Sequence, residues 1–340
     1  MLNYHSEWLR KSLLRLCKAF FRNSGMANGK YVKIFVTKVQ VINMKKVGIS
    51  IWEFQAKYGD MRALEIAKEI GADAVDFSLC GKNFFFQNEG SIYSQSDDEI
   101  VEYFTALKKK ADEIGLIISQ THGKDCGFKN KKQEDDDLVE NIRRDLLATS
   151  ALGAPVCVIH SPTSLFLGAN PDRELMHKLC LDLYSRTLPY AKKYNVKLAT
   201  ETFGDANFHN IDFFGDMDEF MLAYNNIKSI KEYSDYFTTC VDTGHSHKAT
   251  RFGQPKAGDV IRRIGSDISV LHLNDNDTLY DQHKTPKSGS IDWIDVFKAL
   301  DEVGYDGVYN MELKLNHYSP DLIVETAEFS IKVLRAMLKQ

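Results

Sequence analysis

Residues 60–79, "DMRALEIAKEIGADAVDFSL", decide the fold class. The first half places apolar residues at helical spacing among charged ones, and the second half is a mostly apolar run typical of a buried strand. Gly71 stands between the halves, where a glycine in the left-handed conformation commonly ends a helix. The stretch therefore predicts an amphipathic helix that is followed at once by a strand.

The same unit recurs along the chain from Met44. Strand-like runs alternate with amphipathic helices eight times, and Gly115, Gly153 and Gly304 take the place of Gly71 in other units. Such alternation is typical of parallel sheets, and eight units predict a closed (β/α)8 TIM barrel, a single domain over residues 44–340. A doubly wound open sheet is the alternative fold, but no G-x-G-x-x-G motif follows the first strand.

Residues 1–43 stand apart from this pattern. They hold eight Lys or Arg against one acidic residue, and "WLRKSLLRLCKAFF" has the roughly helical apolar spacing that a membrane-surface helix would also show. The segment lacks the continuous apolar stretch and cleavage site of a secretory signal. Because Met44 directly precedes the first strand, we interpret residues 1–43 as an N-terminal extension, disordered or upstream of the native start.

The composition is ordinary for a soluble globular enzyme, with 44% hydrophobic and 26% charged residues. No apolar run reaches the ~18–20 residues that a membrane span needs. The net charge is −4, and the chain beyond the basic extension is more acidic still, which disfavours a general nucleic-acid surface. The six cysteines form no C-x-x-C pair, which indicates a reducing, cytoplasmic compartment.

Polar residues are concentrated at one end of the predicted barrel. Active sites of TIM barrels lie at the C-terminal ends of the strands, and here the third to the eighth strand each end in histidine or a carboxylate. Buried carboxylates repel one another unless a cation compensates them, and a mixed imidazole–carboxylate set suits a divalent metal. We therefore expect a metal among His122, His160, Glu201, Asp242, His245, His272, Asp281, His283 and Glu312.

Four stretches carry a resemblance to a known superfamily. They are "CVDTGHSH" (240–247), "VLHLNDND" (270–277), "DQHKTPKSGSIDW" (281–293) and "GVYNMELK" (307–314). They resemble the xylose isomerase-like TIM-barrel superfamily, which contains sugar isomerases and epimerases and also the endonuclease IV-type DNA-repair enzymes. The resemblance covers about residues 44–340 and is specific for the superfamily rather than for one member.

The epimerase branch of this superfamily implies one divalent metal, Mn, Co, Mg or Zn. Its four ligands match Glu201, Asp242, His272 and Glu312, and the two glutamates also serve as the acid–base pair. The expected substrate-binding residues are His245, His122, His160, His283 and Trp52.

This resemblance implies a metal-dependent sugar or sugar phosphate isomerase or epimerase. A carboxylate removes a proton next to a carbonyl, the metal stabilises the enediolate, and a second carboxylate returns the proton. The expected partner is a small-molecule sugar, with neither nucleic acid nor membrane involved, and a homo-oligomer is the candidate assembly.

The endonuclease branch is the alternative function. There the same frame holds three zinc ions that cleave abasic DNA, and such an enzyme needs a basic groove for phosphates. Its added ligands match His122, His160, Asp281 and His283. A metal-dependent sugar dehydratase and a barrel that only binds sugar are further alternatives, although intact acid–base glutamates argue against the latter.

Two substrate contacts of the ketohexose epimerases are missing from this chain. Thr278 stands where those enzymes have an arginine, and Asn207 stands where they have a glutamate. A ketohexose is therefore not assigned as the substrate.

Overall fold

The computed structural model describes residues 45–207 and 209–339, so the predictions made for residues 1–43 lie outside the described residues. Eight strands, here β1 to β8, form one parallel sheet in chain order, with β8 next to β1. Their bounds are Val47–Ser50, Ala74–Ser78, Ile117–His122, Val156–Ile159, Lys197–Glu201, Phe237–Asp242, Ile268–His272 and Tyr309–Met311.

The sheet closes on itself. β1 pairs with both β2 and β8, and the remaining edge between β7 and β8 is joined through Leu273. The Leu273 N–H donates to the Asn310 carbonyl at 2.8 Å, and its carbonyl accepts from the Glu312 N–H at 3.3 Å. The predicted TIM barrel is therefore confirmed, and the open-sheet alternative is wrong.

Helices cover the outside of the barrel between successive strands. No helix among the described residues is both long enough and apolar enough to cross a bilayer. The α-helices are Trp52–Tyr58, Asp60–Glu69, Asp97–Ile114, Lys132–Ala151, Ser164–Leu167, Arg173–Tyr194, Met217–Lys228, Thr243–Ala249, Ala257–Ile264, Trp293–Glu302 and Ile323–Met337.

Helix Asp97–Ile114 shows how the sequence sets these boundaries. Ser96 and Glu99 form a reciprocal capping box that satisfies backbone N–H groups of the first turn. Gly115 ends the helix at φ 66° and ψ 43°, the left-handed conformation that glycine adopts without a steric penalty. The glycine pattern in the sequence thus marked a real helix end.

Alternation along the strands places the polar residues at the top of the barrel. Val158, Ala199, Cys240 and Val270 belong to a small apolar cluster of β4 to β7, separate from the large core under the helices. Side chains of a strand alternate between its two faces, so the residue two positions further on faces the same way. Those residues are His160, Glu201, Asp242 and His272.

Three short helices were missing from the sequence prediction, the four-residue helix Ser164–Leu167 and two of seven residues. The two of seven residues are Trp52–Tyr58 and Thr243–Ala249, and each starts close behind a strand. The second begins inside "CVDTGHSH", where the Asp242 carboxylate accepts from the His245 N–H at 2.6 Å as an N-cap. Their shortness hid both helices, because seven residues carry little periodicity.

A chain that starts at Met44 is expected to fold with the same thermal midpoint and circular dichroism as the full chain, because β1 begins at Val47. The matched control is a chain that starts at Asp60 and therefore lacks β1. That control is expected to be unfolded, since β1 fills the space between β8 and β2. An insoluble chain from Met44 would place part of residues 1–43 within the domain.

Candidate metal centre

The strand-end residues predicted to bind metal lie together. One donor atom from each of four residues lies within 4.8 Å of the donors of the other three. Glu201 is 1% exposed and the Glu312 side chain is 17% exposed, so the group is buried but open to the cleft on one side. Three carboxylates and one imidazole fit a divalent cation. The four residues are Glu201, Asp242, His272 and Glu312.

Four imidazoles surround the carboxylate of Glu201. Its Oε2 lies 3.3 Å from His122 Nε2 and 3.2 Å from His160 Nε2. Its Oε1 lies 3.1 Å from His272 Nδ1 and 3.3 Å from His245 Nδ1. Glu201 is therefore the side chain that joins the residues of β3, β4, β6 and β7.

Fixed acceptors determine which imidazole nitrogen faces the cluster. Nδ1 of His122 lies 2.9 Å from the Gly123 carbonyl, and Nδ1 of His283 lies 3.1 Å from the Glu312 carbonyl. A carbonyl only accepts, so each Nδ1 carries the proton and donates it. Each Nε2 then faces a carboxylate, that of Glu201 for His122 and that of Asp281 for His283. A lone pair and a carboxylate repel unless a proton or a cation lies between them.

In His272 the roles of the two nitrogens are reversed, because Nε2 contacts the fixed acceptor and Nδ1 faces the cluster. Its Nε2 lies 3.1 Å from Oδ2 of Asp76, so Nε2 donates and Nδ1 faces Glu201 at 3.1 Å and Glu312 at 3.5 Å. A carboxylate behind a metal-binding imidazole is a common device that fixes the ring and increases its basicity. The arrangement suits coordination through Nδ1.

The pKa values reveal the same demand for positive charge. Burial alone would raise the pKa of Glu201, but the charge of His272 and the hydrogen-bonded imidazoles hold it well below its ordinary value. Burial would lower the pKa of His245, but the carboxylates of Asp242 and Asp281 raise it well above its ordinary value. A divalent cation among these groups would supply the positive charge that the imidazole protons otherwise provide.

Further donors lie beside the four-residue group. Asp242, His245 and His283 offer atoms within 4.8 Å of one another. Asp281 adds a carboxylate there, with Oδ2 2.9 Å from His283 Nε2 and Oδ1 3.6 Å from His245 Nε2. A third group shares Glu201 with the first and consists of His122, His160 and Glu201.

A cleft of about 580 Å³ opens above these donors. It has the size and position of a small-molecule site at the C-terminal face of a TIM barrel. All five predicted substrate-binding residues line it, namely His122, His160, His245, His283 and Trp52.

A model of the xylose isomerase-like TIM barrel family matches residues 64–335. The match spans most of the chain and includes β2 to β8 with every donor described above. The chain belongs to the xylose isomerase-like TIM barrel family. The superfamily resemblance seen in the sequence is thereby confirmed.

The chain is also similar to curated relatives and to solved structures. The uncharacterized protein y4fM of Sinorhizobium fredii is 27% identical over 181 residues, which are 53% of this chain and 54% of that protein. The chain thus spans about half the length of the curated relatives it matches. Both relatives are named as uncharacterized proteins, so their names suggest no activity for this chain.

Two crystal structures show the shared fold. A D-tagatose 3-epimerase-like protein superposes with a TM-score of 0.65 at 22% identity, over 86% of this chain and 97% of that one. The IolI protein with a bound zinc atom superposes with a TM-score of 0.63 at 16% identity, over 86% and 96%. At these identities the likeness establishes the architecture.

Sequence reasoning missed two residues that support the donors. Asp76 is fully buried and holds His272, and Asn274 donates to Asp242 Oδ2 at 2.8 Å. The sequence did offer a sign of Asp76, because it is the one acidic residue in the mostly apolar strand β2, "AVDFS". A carboxylate in such a run needs a polar partner, but the sequence does not tell which residue supplies it.

Other residues named from the sequence lie away from the donors. His247 Nε2 lies 2.8 Å from the Ser290 hydroxyl, in keeping with its interpretation as a bystander. Asn207 accepts backbone N–H groups of His209 and Asn210 within a hairpin turn, so its side chain shapes that turn.

Asp76→Asn is expected to lower metal affinity about 10–100-fold, the usual effect of changing an outer-shell partner of a metal-binding histidine. The substitution keeps the shape but removes the charge behind His272. Affinity is measured by competition with a chromophoric chelator. Asp135→Asn is the control, because within residues 45–207 and 209–339 that buried carboxylate accepts only from backbone N–H groups of Lys129 and Lys131. Equal affinity in both variants would show that Asp76 does not support the centre.

Proposed function

We propose that the protein is a divalent-metal-dependent isomerase or epimerase acting on a sugar or sugar phosphate. The observation that carries this proposal is the four-donor group at the bottom of the cleft, with Glu201 and Glu312 on strands that are three apart. The fold shared with a D-tagatose 3-epimerase-like protein supports the reaction class. A small-molecule sugar partner belongs to this proposal, whereas cytoplasmic location and a homo-oligomer stay predictions.

Glu201, Asp242, His272 and Glu312 would hold one divalent ion. Mn, Co and Zn accept mixed imidazole and carboxylate donors, and Mg accepts carboxylates. When bound, the ion supplies Lewis-acid polarisation of the substrate oxygens.

Proton transfer is assigned to Glu201 and Glu312. One carboxylate removes the proton from the carbon next to the carbonyl, and the other returns it. Return to the neighbouring carbon gives an isomer, and return to the opposite face gives an epimer. Both glutamates line the cleft and are held in place by surrounding imidazoles, which is the preorganisation that such transfer requires.

Substrate contacts are assigned to the remaining lining residues. His122 and His160 approach Oε2 of Glu201 at 3.3 and 3.2 Å. His245 approaches Oε1 of Glu201 at 3.3 Å, and His283 approaches Oε2 of Glu312 at 3.4 Å. Trp52 lies at the cleft mouth and offers an aromatic face to a sugar ring.

Phosphodiester cleavage is the second candidate function. The observation that favours it is the presence of four overlapping donor groups rather than one, the fourth being His122, His272 and Glu312. The basic groove that DNA would need has little support, because several of the lysines near the cleft are already paired with carboxylates. Lys129 and Lys131 contact Glu134, and Lys314 contacts Asp281.

Deuterium exchange tests the proposed reaction. Sugar incubated with the metal-loaded protein in heavy water is expected to gain deuterium at the carbon next to the carbonyl, read by NMR. Glu201→Gln and Glu312→Gln are each expected to slow exchange by about 10²–10⁴, the usual contribution of acid–base catalysis. Glutamine keeps the size and one coordinating oxygen but cannot act as the base.

Glu328→Gln is the matched control, since Glu328 pairs with Lys332 on the surface of the last helix. It is expected to exchange at the wild-type rate. Normal turnover of sugar by a Glu201→Gln/Glu312→Gln double variant would exclude the pair. Nicking of abasic DNA at an enzyme-like rate, with no exchange into any sugar, would favour the second candidate.

A further inference from the structure

The cleft extends well beyond the metal donors. About half of its lining comes from the segments that follow β1 and β2, and neither segment contributes a residue to the donor groups. Its volume of about 580 Å³ is in the range that encloses ligands larger than a single sugar ring. We call this part the outer subsite, and its lining residues are Trp52, Gln55, Ala56, Asp60, Lys82 and Asn83.

The wall of the outer subsite is preorganised. Trp52, Gln55 and Ala56 occupy positions i, i+3 and i+4 of the short helix after β1, and so share one face. The Trp52 indole N–H donates to the Leu313 carbonyl at 3.4 Å, while 39% of the residue stays exposed. Gln55 donates to the Ser78 carbonyl at 3.1 Å and accepts from its N–H at 3.0 Å. The wall therefore presents a fixed aromatic face beside a small alanine.

The charges of this region do not suit a phosphate. Among the described residues, Lys82 is the one lysine that lines the outer subsite, and its ammonium group has no polar partner among them. The carboxylates of Asp60 and Asp125 line the same cleft. Lys314, the other lysine of the cleft, donates to the Asp281 carbonyl at 2.5 Å and lies 3.4 Å from its carboxylate. Phosphate recognition requires an excess of positive donors, and the outer subsite lacks that excess.

The hydroxyl groups of a sugar are a better match than a phosphate for the side chains of the outer subsite. The side chain of Asn83 is exposed and has no polar partner among the described residues. An amide offers both a donor and an acceptor, as a sugar hydroxyl requires. An aromatic face with one such amide and one flexible lysine is suited to an uncharged ring.

We propose that the outer subsite binds the second, non-reacting ring of an uncharged two-ring sugar. The substrate is then a disaccharide or a glycoside rather than a free hexose or a sugar phosphate. The reacting ring lies over Glu201 and Glu312, and the second ring stacks on Trp52 with Asn83 beside its hydroxyls. The assignment of the reacting ring rests on the proposed function, whereas the contacts of the second ring depend on the cleft alone.

Calorimetric titration of the metal-loaded protein tests this assignment. The probes are the two-ring ketoses lactulose and maltulose, the one-ring ketose D-fructose, and D-fructose 6-phosphate. A two-ring ketose is expected to bind about tenfold or more tightly than D-fructose, because the second ring adds an aromatic contact. Trp52→Ala is expected to remove that advantage, and Trp52→Phe, which keeps a flat ring, is expected to retain most of it.

Equal affinity for the one-ring and two-ring ketoses, or no binding of either two-ring probe, overturns the proposal. Tighter binding of D-fructose 6-phosphate that is lost in Lys82→Ala also overturns it. Deuterium exchange separates the two claims. Exchange into D-fructose, combined with lactulose binding that Trp52→Ala does not weaken, supports the reaction and contradicts the outer subsite. Trp52-dependent binding of lactulose without exchange supports the outer subsite and contradicts the reaction.

Discussion

The buried carboxylate of Glu201 is the constraint on which the whole site depends. A carboxylate that is 1% exposed is stable only when positive charge or hydrogen-bond donors surround it, and here four imidazoles do so. His122 and His272 are oriented by the Gly123 carbonyl and by Asp76, so that Nε2 of His122 and Nδ1 of His272 face Glu201. Protonated imidazoles or a divalent cation satisfy that geometry, and the neighbouring carboxylates of Asp242 and Glu312 favour the cation.

Much of this arrangement could be predicted because it follows from strand periodicity. Eight helix–strand units specify a barrel, and a barrel brings the C-terminal ends of all its strands to one face. Glu201, Asp242 and His272 each stand two residues after a small inward-facing residue. The alternation of side chains along a strand therefore predicts that all three side chains point into the barrel. The family motifs then indicated which strand ends form the candidate metal centre.

The remainder depends on contacts between distant residues. Asp76 lies 196 positions from His272, and no local pattern links the two. The nitrogen that each histidine presents is likewise set by a backbone carbonyl whose position only the fold determines. His283 also has φ 43°, a conformation uncommon for residues other than glycine, and no residue of its loop predicts it. The extent of the cleft over β1 and β2 depends on the packing of a helix too short to predict.

Metal titration of the apoprotein tests the central claim most directly. The account predicts that one divalent ion per chain binds tightly, and that Asp242→Ala abolishes this binding while circular dichroism shows an intact fold. Absence of tight binding in the wild-type chain, or unchanged stoichiometry in Asp242→Ala, would contradict the four-ligand centre. Three tightly bound zinc ions would contradict a mononuclear centre and favour phosphodiester cleavage over sugar chemistry.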